Sequence, residues 1–186
     1  MPTVGNVHEI AHAVDPNARV AYVDFEPVAV AHATEIIAAL DTSTITVTRA
    51  DARDPDVVLS APGVASLLDF DQPVALLAVA MLHFIAGDIA ALLARYRTAL
   101  APGSLVAISH TSDDLPDPVA AERMRAVRDA YANSATPAFW RTRTELIAAL
   151  DGLTLADPGL VDVADWPENT ETRPKSWMYG AVGLIR

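Results

Sequence analysis

Asp24 and Asp51 stand 27 positions apart, and each follows a short β-branched run, Val20 to Val23 in the first case and Thr44 to Thr48 in the second. A carboxylate outside the carboxyl end of a parallel strand can accept hydrogen bonds from both hydroxyls of the ribose in an adenosine-containing ligand. Asp24 is placed to do this, and Asp51, on a neighbouring strand, to accept from the exocyclic amine of an adenine. The competing reading is that each aspartate caps the helix that follows it. His83, in Ala80-Met81-Leu82-His83-Phe84, and His110, in Ser109-His110-Thr111, also follow apolar runs and fall on the same crevice edge. Each could orient a ligand or take a proton, or be a satisfied core or capping histidine. His8 and His12 lie four apart with Glu9 between them, but not in the HExxH order, so no metal site is expected. The chain has no cysteine, hence no zinc-thiolate site and no thiol nucleophile. It has no GxSxG elbow either, and no catalytic residue is assigned. Gly180-x-x-Gly183 falls inside an apolar run rather than between a strand and a helix, which excludes a phosphate loop. Trp140, Trp166 and Trp177 could line a pocket or complete a core.

These residues need a scaffold, and the pattern supplies one. Asn6 with Glu9 is a capping-box signal for a helix from Val7 to about Val14. After the turn Asp15-Pro16-Asn17, Val20 to Val23 reads as a buried strand. Pro27 suits the first position of the helix running from Val28 to Leu40. Asp41-Thr42-Ser43 turns into the strand Thr44 to Thr48, and Asp54-Pro55 opens a helix reaching Leu59. Val64 to Leu68 is a further short element. Pro73 to Ala80 is apolar throughout and reads as a fully buried central strand. A helix follows from Asp88 to Leu100, bounded by Gly87 and by Pro102-Gly103, and then a strand from Leu105 to Ser109. Val119 to Tyr131 and Thr142 to Leu150 have helical periodicity. Leu153 to Asp165 suggests a short strand, Trp166 to Trp177 a surface loop, and Met178 to Ile185 the last strand. The order β-α-β-α-β-α with a paired-strand finish predicts an α/β, doubly wound, Rossmann-like sheet.

Composition sets the outer limits. With 186 residues, 52% hydrophobic and 20% charged, the chain fits a single globular domain over 1–186. A net charge of -11 with 13 scattered basic residues argues against a nucleic-acid partner. The longest apolar run, Pro73 to Ile85, is too short to span a membrane. No signal peptide is visible, so a cytoplasmic location is expected.

Five segments together resemble one family: GNVHEIA at Gly5 to Ala11, ARVAYVDFEPVAVAHA at Ala18 to Ala33, ADARDPD at Ala50 to Asp56, FDQPVALLAVAMLHFI at Phe70 to Ile85, and LAPGSLVAISH at Leu100 to His110. The tail, with Pro158 to Val161 and Tyr179 to Gly183, matches as well. The chain is similar to actinobacterial S-adenosylmethionine-dependent methyltransferases of undefined substrate, a branch of the class I methyltransferase fold. The resemblance implies S-adenosyl-L-methionine as cofactor and a small-molecule acceptor. It also implies that Asp24 and Phe25 hold ribose and adenine, that Asp51 and Ala52 face the adenine ring, and that Ala80, Met81 and His83 lie near the methionine part. Members of the family carry a first strand and a DIGTG-like glycine turn ahead of the segment at Gly5. This chain is expected to be N-terminally truncated and to lack that central strand. The strands ending at Asp24 and Ala80 are then expected to pair directly, to leave open edges, or to make a homo-oligomer. A catalytically inactive scaffold is the alternative function. A nicotinamide dehydrogenase is disfavoured, because no GxGxxG precedes Asp24.

Overall fold

The computed structural model describes residues 5–40, 43–132, 134, 136–167 and 175–186. The turn expected at Asp41-Thr42 and residues 168–174 of the expected Trp166 to Trp177 loop lie outside the described residues. The chain divides into two compact units, Met1–Asp69 and Phe70–Arg186.

In the first unit, helix α1 (Val7–Val14) precedes strand β1 (Val20–Asp24), helix α2 (Pro27–Ala38) and strand β2 (Ile45–Arg49). Two short helices, α3 (Pro55–Ser60) and α4 (Pro62–Ala65), complete it. The two strands run parallel with Val20 opposite Ile45 and Asp24 opposite Arg49. The strand expected to be buried at Val20 to Val23 is instead half-buried at every position. Among the described residues β1 is bonded only to β2, so one of its edges carries no ladder. The carboxylate of Glu9 accepts from the Asn6 backbone N–H at 2.7 Å, which starts α1 as its sequence predicts. The two histidines of α1 have structural partners. His8 Nδ1 lies 2.9 Å from the Tyr22 hydroxyl, and His12 Nε2 donates to the Ala18 carbonyl at 2.9 Å, tying α1 to β1.

The second unit holds a five-stranded sheet. Its strands are β3 (Ala75–Val79), β4 (Leu105–Thr111), β5 (Thr154–Leu155), β6 (Val161–Asp162) and β7 (Met178–Leu184). The order is β3-β4-β7-β5, with β6 also against β7. β3 and β4 are parallel, and β7 runs antiparallel to β4 with Ile108 opposite Ala181. Helices α5 (Ile89–Arg97), α6 (Pro118–Ala132) and α7 (Arg143–Ala149) join them. The core is built on Leu82, Leu93, Val106 and Leu146, each at most 1% exposed.

Two expectations are corrected here. The fully buried central strand at Pro73 to Ala80 is an edge strand of this sheet, with Leu77 46% and Val79 59% exposed. An apolar run fits a both-faces-covered strand, but β3 is bonded only to β4 among the described residues. The single strand expected at Leu153 to Asp165 is two two-residue strands and a 3-10 turn, Val163–Asp165, because the chain changes direction at Pro158-Gly159. The glycines of β7 serve packing. A Cβ on Gly183 would lie 2.8 Å from Leu153 Cβ, and one on Gly180 2.9 Å from Val163 Cγ2.

Candidate cofactor groove and buried histidine centre

In the first unit the parallel register carries Asp24 and Asp51 to the same end of the two-stranded sheet, where the Ala50 amide donates to the Asp24 carbonyl at 3.0 Å. The capping alternative does not hold for either residue. Glu26 caps α2, accepting from the Ala29 amide at 2.9 Å, and Asp54 stands at the N-cap of α3. Asp24 Oδ1 accepts from the Glu26 amide at 2.9 Å and so fixes the turn, while Oδ2 has no partner among the described residues. Asp51 Oδ1 accepts from the Arg53 amide at 2.9 Å, and the Arg53 guanidinium pairs with both of its oxygens. That side-chain hydrogen bond from Arg53, more than any other cause, holds the Asp51 carboxyl below its ordinary range. Phe25, Arg49, Ala50 and Asp51 line an open groove of about 440 Å³, with the Phe25 ring 58% exposed beside it. Arg49 and Arg53 escaped the sequence reading. Their place two residues either side of Asp51 is the signal that would have found them.

An exposed aromatic side chain next to a carboxylate and an acceptor oxygen with a vacant lone pair is the acceptor and stacking set that suits the hydroxyls, amine and ring of an adenosine. The groove therefore fits the nucleoside end of the expected cofactor.

In the second unit, β3 is followed by Ala80, whose φ is +53°. Left-handed backbone in a residue with a Cβ costs roughly 1 kcal/mol. The Ala80 amide donates to Ser109 Oγ at 2.9 Å, which secures the turn to β4. Met81 then stands at the N-cap of a 3-10 turn, Leu82–Phe84. That turn places His83 in the interior, with its ring edge-on to His110 at 5.5 Å between centroids. His110 has no exposed surface. Its Nδ1–H donates to the Thr111 carbonyl at 2.6 Å, which leaves Nε2 to accept from Arg141 Nη1 at 3.1 Å. Burial, above all, pushes the His110 pKa down to about 4, and the Arg141 charge acts in the same direction. Burial and then Arg141 likewise lower His83.

Arg141, also missed from sequence, is the hub of this centre. Its guanidinium donates to the carbonyls of Leu82, Ile85, Gly87 and Phe139 at 2.7 to 3.2 Å. It thereby holds the loop after β3 in one conformation. Beside it lies a cavity of about 170 Å³ walled by His83, Thr111 and Trp140 and by Phe84, Val127 and Tyr131. His83 Nδ1, Thr111 Oγ1 and Trp140 Nε1 are buried with no hydrogen-bond partner among the described residues. Leaving such an atom unpaired costs about 1–3 kcal/mol. Of the other two indoles, Trp166 donates from Nε1 to the Gly159 carbonyl at 3.3 Å, and Trp177 has left-handed backbone with φ +59°. Among the described residues no three His, Asp or Glu side chains converge as a metal site. No described helix is long and apolar enough to cross a membrane.

Comparison with solved structures bears on the fold and the family. A DUF574 family protein from Streptomyces avermitilis is 32% identical with a TM-score of 0.81, over 100% of this chain and 72% of that one. A Thermobifida fusca protein of proposed methyltransferase activity is 31% identical with a TM-score of 0.83, over 100% of this chain and 70% of that one. A SAM-dependent methyltransferase from Methanosarcina mazei shares the fold at 13% identity, with a TM-score of 0.60 over 95% of this chain and 86% of that one. No curated protein sequence matches the chain. The sequence profile of the S-adenosyl methyltransferases matches residues 1–186 from end to end. With the strand-end carboxylates and the α/β fold in place, the chain belongs to the S-adenosyl methyltransferase family, whose cofactor is S-adenosylmethionine.

Proposed function

We propose that the groove beside β1 and β2 binds the adenosine part of S-adenosylmethionine and that the chain methylates a small-molecule acceptor. The observation that carries this reading is the uncommitted Asp24 Oδ2 at the end of β1, next to an exposed Phe25 ring. Asp24 accepts from the ribose hydroxyls and Phe25 packs on the adenine. Asp51, whose two oxygens already accept from Arg53, faces the adenine ring together with Ala52. Ala80, Met81 and His83 are assigned to the methionine part by the family resemblance alone, and in the second unit they stand on a turn whose shape Arg141 sets. When bound, the cofactor supplies an electrophilic methyl on a sulfonium, so the chain needs to position and desolvate its substrates rather than form a covalent intermediate. In this proposal residues 1–186 act as one methyltransferase domain in the cytoplasm, without a nucleic-acid or membrane partner. Self-association through an open strand edge belongs to the same reading. The inactive-scaffold alternative has no observation in its favour.

The test is calorimetric titration with S-adenosylhomocysteine. Asp24→Ala is expected to weaken binding by about 2 kcal/mol, the range for a lost hydrogen bond to a charged group, and to leave the fold unchanged. Equal affinity in parent and variant removes Asp24 from the site.

A further inference from the structure

The cavity in the second unit has a composition that the cofactor does not explain. Its floor is closed by His83 and Met124, each 7% exposed, and its mouth is framed by Phe84, Val127 and Tyr131, which are 38 to 41% exposed. Met124, Val127 and Tyr131 recur at i, i+3 and i+7 along α6, so one face of that helix supplies a wall. The Phe84 and Tyr131 rings stand 6.1 Å apart and tilted by 51°. At about 170 Å³ the space is close to the ~150 Å³ cavity that is known to hold one benzene ring. None of the lining residues is Asp, Glu, Lys or Arg, so the lining itself offers no charged partner to a carboxylate, phosphate or ammonium. Five buried side-chain polar atoms lack a partner among the described residues, and three of them, on His83, Thr111 and Trp140, belong to this one lining. Native proteins pair nearly all such atoms, and a cluster of exceptions marks a place where another molecule completes the bonding. The indole N–H can only donate, whereas the threonine hydroxyl can donate or accept.

We infer that this cavity is the acceptor site and that it takes an uncharged, single-ring aromatic molecule bearing a hydroxyl, held by His83, Thr111 and Trp140. The assignment as acceptor site rests on the methyltransferase reading above, since His83 serves both the turn after β3 and this lining. The ring stacks among Phe84, Tyr131 and Trp140. Its polar edge accepts from Trp140 Nε1 and exchanges hydrogen bonds with Thr111 Oγ1 and His83 Nδ1.

The experiment uses the full chain and 4-fluorophenol as the probe, followed by its fluorine NMR signal, with S-adenosylhomocysteine titrated separately by calorimetry. The expected result is saturable 4-fluorophenol binding at about 1 mM or tighter, with cyclohexanol, 4-fluorobenzoate and 4-fluorobenzylamine at least tenfold weaker. Val127→Phe, at a half-exposed position where added bulk fills the mouth without entering the core, is expected to abolish probe binding and to keep S-adenosylhomocysteine affinity. Thr111→Val, which replaces the hydroxyl at nearly constant volume, is expected to weaken the probe several-fold. Binding of S-adenosylhomocysteine without any 4-fluorophenol signal overturns this inference and leaves the cofactor reading intact. Probe binding by a chain that takes no S-adenosylhomocysteine overturns the acceptor assignment. Equal affinity for cyclohexanol overturns the aromatic class, and an unchanged affinity in Thr111→Val overturns the role of its hydroxyl.

Discussion

His110 is held between a carbonyl that takes its Nδ1 proton and a guanidinium that donates to Nε2, with no exposed surface between them. Burial above all, with the Arg141 charge acting in the same direction, disfavours the charged ring and lowers its pKa to about 4 from the ordinary 6.5. The unfolded chain binds that proton near pH 6.5 and the folded chain only near pH 4. The neutral ring's contribution to stability is therefore complete above pH 6.5, declines as the pH falls, and is gone below about 4. The swing is about 3 kcal/mol. His83, lowered in the same direction, adds to the same slope. Urea unfolding at a series of pH values should show this decline, and His110→Gln should flatten it between pH 6.5 and 4. An unchanged slope in the variant would assign the acid sensitivity to other groups. The Asp51 carboxylate, by contrast, is partly exposed and already paired with Arg53. Asp51→Asn should thus lower S-adenosylhomocysteine affinity by about 1 kcal/mol or less, a smaller loss than Asp24→Ala in the same titration. Both aspartates were legible in the sequence because a strand end followed by an acidic residue is a local pattern. Arg141 was not, because three of its partners are carbonyls of residues more than fifty positions away, and no local pattern records them.

Helix boundaries were readable wherever a side chain performs the capping. The Asp88 carboxylate accepts from the Ala90 and Ala91 amides at the start of α5. Thr142 and Glu145 form a reciprocal capping box on α7, the Thr142 hydroxyl accepting from the Glu145 amide at 3.2 Å and the Glu145 carboxylate from the Thr142 amide at 2.8 Å. Thr142→Ala removes half of that box, and thermal unfolding should register a loss of about 1 kcal/mol. No change would mean that burial of Leu146 alone sets the helix start. Strands were harder to read, since hydrophobic pattern reports which faces are covered and not which edges are paired. The run at Pro73 to Ala80 satisfies a both-faces-buried template, yet Leu77 and Val79 stay exposed on an edge strand. The cavity wall on α6 had a visible trace, three apolar residues on one face of a helix with charged residues elsewhere, but the shape opposite that face belongs to tertiary structure.

The two compact units differ in how their strands are secured. β4 is bonded on both sides, to β3 and β7, and buries Val106 and Ile108 almost completely. β1 has one partner strand and no fully buried residue. A two-stranded ladder is marginal on its own, so the opening free energy should be unequal along the chain. Hydrogen-deuterium exchange read by mass spectrometry is expected to label the amides of Val20–Asp24 well before those of Leu105–Thr111. Equal protection of the two segments would show that the molecule opens as a single cooperative unit. The carboxylate proposed to grip the ribose thus sits at the end of the strand expected to open before β4. Ligand binding there would be purchased partly by stilling that motion, and saturating S-adenosylhomocysteine should slow exchange in β1 and β2 far more than in β4.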